Sequence, residues 1–243
     1  MNLHKIWVEF RVILFAVLVA IFLRTFAYEP FRIPSGSMIP TLVIGDFLFV
    51  SKMSYGYSRF SLPFDLPLIG GRVMAEMPQR GDVVVFSLPS DPSIIYIKRM
   101  VGLPGDTIQL RDSTLYVNGD PVEYTQIEDY VAQNRNGGLE REKQFLEVLP
   151  GGKVHNTLEH TLTNAHLDDN TPVYRVPEGH FFGMGDNRDN SLDSRFANGV
   201  GFIPFENLIG RAEFIFFSID GDAWKIWQWP WSLRFSRFFQ GIE

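Results

Sequence analysis

The sequence predicts a mainly β fold, an antiparallel β-sheet domain with a polar insertion or cap behind one N-terminal transmembrane helix. Three observations carry that expectation. Short runs rich in β-branched and aromatic residues, punctuated by Gly and Pro, fill most of the chain after Tyr28. Residues 12–23 form an uninterrupted apolar stretch. Residues 120–170 carry ten acidic and four basic side chains, as much net negative charge as the whole chain, whose formal charge is -6. The boundaries that follow are 1–27 for a membrane anchor, 28–119 and 171–243 for a β-rich core, and 120–170 for an acidic insertion.

The first element is the apolar stretch. Twelve helical residues cover about 18 Å, short of the roughly 30 Å hydrocarbon core, whereas residues 7–26 reach about 30 Å. Arg11 and Arg24 fall near the ends of that longer segment, where their side chains can snorkel, and Trp7 and Tyr28 fall at the two interfaces. A cleavable leader and a buried core helix compete with this reading. Thr25, Phe26 and Ala27 make a poor leader cleavage site. Charge alone does not orient the segment, because two Lys or Arg lie on each side.

The strands follow. Runs at 47–51, 82–86, 94–101, 107–110, 115–117, 174–176, 180–184 and 211–218 have strand composition, and turn signals such as Pro104-Gly105-Asp106 and Asn118-Gly119-Asp120 separate them. Many short strands joined by tight turns argue for an antiparallel sheet. The last element, 224–239, mixes Trp and Phe with Lys225, Arg234 and Arg237, which suits either a membrane surface or a segment folded back onto the core.

Composition removes several classes. At 243 residues, 45% hydrophobic and 21% charged, the chain is neither disordered nor fibrous. A net negative charge argues against a nucleic-acid partner. The absence of Cys excludes disulfides, Cys-ligated zinc and thiol chemistry.

Three segments could carry chemistry. In Ile33-Pro34-Ser35-Gly36-Ser37-Met38-Ile39-Pro40, two Ser flank a Gly between two Pro, a bent loop that exposes hydroxyls and amides. An exposed Ser beside converging N–H groups meets the needs of an acyl-transfer nucleophile and its oxyanion hole. In Tyr96-Ile97-Lys98-Arg99-Met100, strand alternation puts Lys98 in an apolar row and turns Arg99 away. Desolvation there lowers an amine pKa from about 10.4, and a drop of about 3 units corresponds to roughly 4 kcal/mol. The competing reading is a Lys whose stem lies along the sheet while its ammonium reaches water. The third segment, 185–195, is dense in Asp, Asn and Ser, with Arg188 and Arg195 able to pair with Asp186, Asp189 or Asp193. It fails the EF-hand calcium pattern, because Arg188 falls where a ligand belongs, so no metal is expected.

A His-based triad has no support. No G-x-S-x-G is present, and His155, His160 and His166 read as solvated loop residues of the insertion. His180, after Gly179, reads as a structural residue at a strand start.

Taken together, the segments resemble the bacterial type I signal peptidases (leader peptidases), membrane-anchored serine proteases with a Ser-Lys dyad. The resemblance rests on Tyr28-Glu29-Pro30-Phe31, the Ser35-Gly36-Ser37-Met38 box, 80–86, the Lys98 box and 185–195, in family order. It covers the catalytic core well and 120–170 hardly at all.

The resemblance implies that Ser37 is the nucleophile and Lys98 its general base. It implies an oxyanion hole formed by the Ser35 hydroxyl and the Ser37 N–H. Ser191 would hold the Lys98 amine, and Asp193 and Arg195 would brace that loop. No cofactor or metal is implied. The partners would be signal-peptide-bearing preproteins, cleaved after small-x-small residues, and the lipid bilayer. The substrate would add as a strand along Glu29 to Pro34 and Ile95, Tyr96 and Ile97, with Phe31, Ile33, Met38 and Ile97 walling shallow pockets. The chain would sit in the cell (inner) membrane as a single-pass protein, its short N-terminus cytoplasmic and its catalytic domain extracytoplasmic or periplasmic. Some members carry two N-terminal spans or a disulfide; this chain has room for one span and has no Cys. Two rivals compete. One is a self-cleaving Ser-Lys repressor-like protease, which membrane partitioning would separate. The other is a tethered, non-enzymatic peptide-binding β module, which Lys98→Ala would separate.

Overall fold

The computed structural model describes residues 3–62, 69–133, 139–159, 169–221 and 224–242, with side chains from residue 7 onward. Its first element is a helix, α1, Leu3–Phe26. Those 24 residues contain no Gly or Pro, so nothing interrupts the i to i−4 ladder over about 36 Å. The apolar side chains of α1 are exposed, Val12 at 63% and Phe15 at 69%, which removes the buried core helix as an alternative. Glu9, Arg11 and Arg24 confine the uninterrupted apolar stretch to 12–23. Among the described residues, no helix is long and apolar enough to cross a membrane.

The rest is mainly antiparallel β. The strands are β1 Tyr28–Arg32, β2 Asp46–Ser51, β3 Val83–Ser87, β4 Ile95–Gly102, β5 Thr107–Arg111, β6 Thr114–Val117, β7 Asp120–Pro121 and β8 Glu123–Gln126. They continue with β9 Tyr130–Gln133, β10 Leu139–Val148, β11 Val154–Glu159, β12 Tyr174–Arg175, β13 His180–Met184, β14 Ile203–Pro204, β15 Leu208–Ser218 and β16 Gln240–Gly241. The main sheet runs β1-β2-β15-β3-β4-β13-β14, with β16 added to β15. A second sheet joins β11, β10, β8 and β9, and a third runs β12-β5-β6-β7.

β3 shows why the sheet holds. Val83 and Val85 enter one core cluster with Ile33, Met38, Leu48 and Ile215, while Val84 and Phe86 enter another with Tyr55, Met100 and Leu208. Both faces are covered, so the strand reads as a continuous apolar run instead of an alternating one.

Two margins of the main sheet stay open. β1 pairs with β2 alone and forms the edge. β13 meets β4 only at Arg99, Met100 and Gly102, so among the described residues 95–98 have β3 on one side and no strand on the other.

The segment 120–170 is not solvated throughout, as its charge had implied. Its strands β10 and β11 bury Glu147, His155, Thr157 and Glu159. The outer half of β10 keeps the exposed charges, and the inner half buries Phe145 and Glu147. His155 is therefore a buried strand residue and not a loop residue, while His160 and His166 lie outside the described residues. The tail divides. Trp229 and Phe238 pack on Phe217, with ring centroids 5.4 and 5.5 Å away, whereas Trp224 and Trp231 stay exposed.

Candidate active site

The loop between β1 and β2 is closed at its neck by backbone bonds. Ile33 N–H donates to Asp46 O at 2.8 Å, and Gly45 N–H donates to Ile33 O at 3.0 Å. Ile33, Met38 and Leu42 point into the core and fix the loop from beneath. Ser35 is left exposed and Ser37 half-buried. Met38, expected on a pocket wall, is 1% exposed and belongs to that core.

β4 delivers Lys98 to this loop. Its Nζ lies 2.8 Å from Ser37 Oγ and 3.0 Å from Ile97 O. Lys98 is 2% exposed. Burial pushes its amine down to about 8, against Asp193 and Asp186, which pull upward. The next residue, Arg99, meets different partners: its Nε and Nη2 donate to Asp186 at 2.8 Å each, and its Nη1 donates to Gly81 O.

The loop after β13 holds the Gly36-Ser37 segment by its backbone. Asn187 N–H donates to Ser37 O at 3.1 Å, and Asn187 Nδ2 donates to Gly36 O at 3.2 Å. Gly185 makes that approach possible, since a Cβ there would sit 2.5 Å from Ser37 O and 2.2 Å from Ser191 Oγ. Asp193 accepts from Gly185 N–H at 3.0 Å and from Arg195 Nε at 2.9 Å. Burial alone would raise the Asp193 carboxyl, but Arg195 and the Gly185 amide hold it below the usual range. Ser191 is buried at the cleft and its Oγ has no hydrogen-bond partner, so the contact expected with Lys98 is not made.

Behind the loop, the insertion closes a charged network. Leu158 N–H donates to Asp186 O at 2.8 Å, forming an isolated parallel bridge with Asn187. Arg188 pairs with Glu147. His155 Nε2 lies 3.1 Å from Glu147 Oε2, without the alignment of a hydrogen bond. Glu147 stays ionised although buried, because Arg188 and His155 bring its carboxyl down to about 2. Glu159, Asp169 and Asp189 bring one carboxylate oxygen each within 4.8 Å of one another, and Arg188 supplies positive charge to Glu159.

A cavity of about 630 Å³ opens over the dyad, lined by Pro34, Ser35, Ser37, Ile95, Tyr96, Ile97, Lys98 and Ser191, among others. A smaller one of about 170 Å³ lies between the open margins of β1 and β4, lined by Phe31, Ile33, Pro34, Ile95 and Ile97. A hydroxyl touching a desolvated amine at the floor of an open cleft can be deprotonated there and attack an extended chain.

Comparison with known proteins bears on the family. The model of the family described as signal peptidase, peptidase S26, matches residues 6–217. The chain belongs to the signal peptidase I family. Signal peptidase I of Rickettsia typhi is 41% identical over 251 residues, covering 96% of this chain and 93% of that protein. Signal peptidase I of Rickettsia canadensis is 40% identical, covering 96% and 92%. A crystal structure of a signal peptidase I from Enterococcus faecalis V583 is 30% identical and covers 56% of this chain and 97% of that one, with a TM-score of 0.33. Membership makes this chain a serine peptidase, a hydrolase that removes signal peptides.

Within that signal peptidase I frame, sequence reasoning missed Gly185, Asn187, Glu147 and His155. Nothing in a local window marks Asn187 as a backbone clamp. The apolar Phe145 and Leu149 at two-residue spacing on either side of Glu147 were the one available sign that β10 turns a face inward.

Proposed function

We propose that this chain removes signal peptides from exported preproteins as a Ser-Lys dyad endopeptidase. The observation that carries the reading is the 2.8 Å contact between Lys98 Nζ and Ser37 Oγ under burial that favours the neutral amine. Neutral Lys98 takes the Ser37 proton as Oγ attacks the scissile carbonyl. The oxyanion is held by the Ser37 N–H and the Ser35 hydroxyl. The Lys98 ammonium then protonates the departing amine of the mature chain, leaving an ester on Ser37. Water, giving its proton to Lys98, hydrolyses that ester and releases the signal peptide. Asp193 and Arg195 brace the loop, and Ser191 borders the amine.

The substrate binds as a strand between the open margins of β1 and β4, beside Glu29 to Pro34 and Ile95 to Ile97. The cavity of about 170 Å³ between those margins supports a preference for small residues ahead of the scissile bond. The exposed apolar surface of α1, with Arg11 and Arg24 snorkelling, supports its role as a single-pass anchor with the N-terminus cytoplasmic and the domain extracytoplasmic. Exposed Trp224, Trp227 and Trp231 support a tail resting on the bilayer.

The test is cleavage of a purified preprotein by detergent-solubilised wild type, Ser37→Ala and Lys98→Ala, each checked for folding. Cutting at the signal junction by wild type alone upholds the dyad; comparable cutting by either folded variant overturns it.

A further inference from the structure

A third cavity, of about 430 Å³, opens where α1 meets the sheet. Ile21 and Thr25 of α1, Phe31, Phe60, Leu62 and Ile209 give it apolar walls. It adjoins the cleft: Ile95 lines this cavity, the cleft over Ser37 and Lys98 and the small cavity near β1, and Phe31 lines both smaller ones. Its size falls in the range of dedicated ligand sites.

Its one buried cation is already paired. Lys52, 3% exposed, donates from Nζ to Ser61 O at 2.7 Å and pairs with Glu29 at 2.8 Å. Arg24 pairs with the other Glu29 oxygen at 3.0 Å. One carboxylate against two cations leaves a single positive charge; Lys52 is buried on Glu29, while the Arg24 side chain is 69% exposed and carries the excess into water, so the apolar walls set what fits.

We propose that this cavity is a distal subsite for the apolar part of the signal peptide, and that it accepts a large aliphatic or aromatic side chain. The inference rests on the function proposed above and deepens it. The occupant follows from direction. In a preprotein the apolar signal segment precedes the scissile bond, and the cavity is bounded by the helix assigned to the bilayer. The chain N-terminal to the scissile bond therefore leaves the dyad along β4 from Lys98 toward Ile95 and reaches α1. Three residues of strand separate Lys98 from Ile95, about 10 Å. The occupying side chain accordingly stands roughly four to six residues ahead of the scissile bond. Small residues fill the narrow cavity near Ser37, and a bulky one fills the wide cavity at α1. Spacing between the two then measures where the apolar segment ends.

The absence of Cys from the chain makes a direct test possible. Full-length Ser37→Ala enzyme carrying Thr25→Cys is mixed, in detergent, with preproteins bearing a single Cys at each of the eight positions ahead of the scissile bond, and oxidised. Glu178→Cys, in an exposed turn, is the control. Wild-type enzyme is assayed on the Cys-free preprotein, so that the proposed function is checked separately. The expected result is cleavage at the junction by that enzyme, with disulfides at Thr25→Cys peaking at positions four to six at least tenfold over the control. Cleavage with no such peak, or a peak at positions one to three, overturns the subsite while leaving the function standing. No cleavage by wild type overturns both. Filling the cavity with Leu62→Trp gives an independent readout: KM for the full preprotein rises about tenfold, and a short peptide beginning three residues before the junction is cut as before. Equal loss on both substrates overturns the subsite.

Discussion

Lys98 Nζ reaches Ser37 Oγ at 2.8 Å across 61 residues of sequence, and it does so from a strand position that is 2% exposed. Proximity and desolvation are thus delivered by one side chain. Under the proposed dyad mechanism an ammonium cannot take the serine proton, so the rate should follow the neutral fraction of Lys98. Its amine is lowered to about 8 by burial. Activity should rise tenfold per pH unit below that value and level off above it, as a pH–rate profile of kcat/KM will show. A rise continuing to about pH 10.5 would mean an amine at its free-solution value.

Gly185→Ala should be far more damaging than its size suggests. The new methyl would meet Ser37 O and Ser191 Oγ at 2.5 and 2.2 Å, so the Asn187 clamp must open. The expected loss in kcat is about a hundredfold or more, from displacement of the nucleophile. Steady-state kinetics with a melting curve will distinguish this from simple unfolding.

Ser191→Ala should be mild by comparison. Its Oγ makes no hydrogen bond, so removing it strands no buried partner. A fall in kcat of about tenfold or less is expected, with melting unchanged. Asp193→Asn, which leaves Arg195 without its carboxylate partner, should lower the melting temperature measurably.

Glu159 gives the fold a pH dependence of unusual sign. Burial raises its carboxyl to about 8 from an ordinary value of 4.5, despite Arg188. A raised carboxyl binds its proton more tightly when folded. Its contribution to stability is full below about pH 4.5 and is lost as pH rises toward 8. Glu159→Gln should flatten the melting temperature between pH 5 and 8.5, relative to wild type. An unchanged slope would assign the dependence to another group.

How far the sequence foretold this arrangement depended on range. β4 and β13 were legible because Pro104-Gly105 and Gly179 bound them and their composition is apolar. Lys98 stood out because strand alternation places it in an apolar row, which is local information. β1 was read as a binding segment through family resemblance alone, since Glu29-Pro30 within five residues denies it a strand signature. The inward role of 120–170 was hidden by composition, because ten acids read as solvated when the basic partner of one, Arg188, lies 41 residues from Glu147. Met38 looked like a pocket wall because its loop carries the nucleophile, yet the same loop needs an apolar anchor underneath.

The succession of Lys98 and Arg99 on β4 has a consequence for folding fidelity. A valine-rich pair such as β3 and β4 could slide by one residue with little loss of apolar contact, which is the usual weakness of such ladders. Here a slide would carry both cations one slot along. In one direction the guanidinium would enter the slot beside Ser37 and Met100 would face Asp186; in the other the amine would face Asp186 and Gly81 without the paired donors that fill both carboxylate oxygens, and Ile97 would lie beside Ser37. A buried ion left without its partner costs several kcal/mol. Misregistered pairings are thereby rejected before they can become alternative native states, so the ordered pair of charges proofreads the strand that carries Lys98.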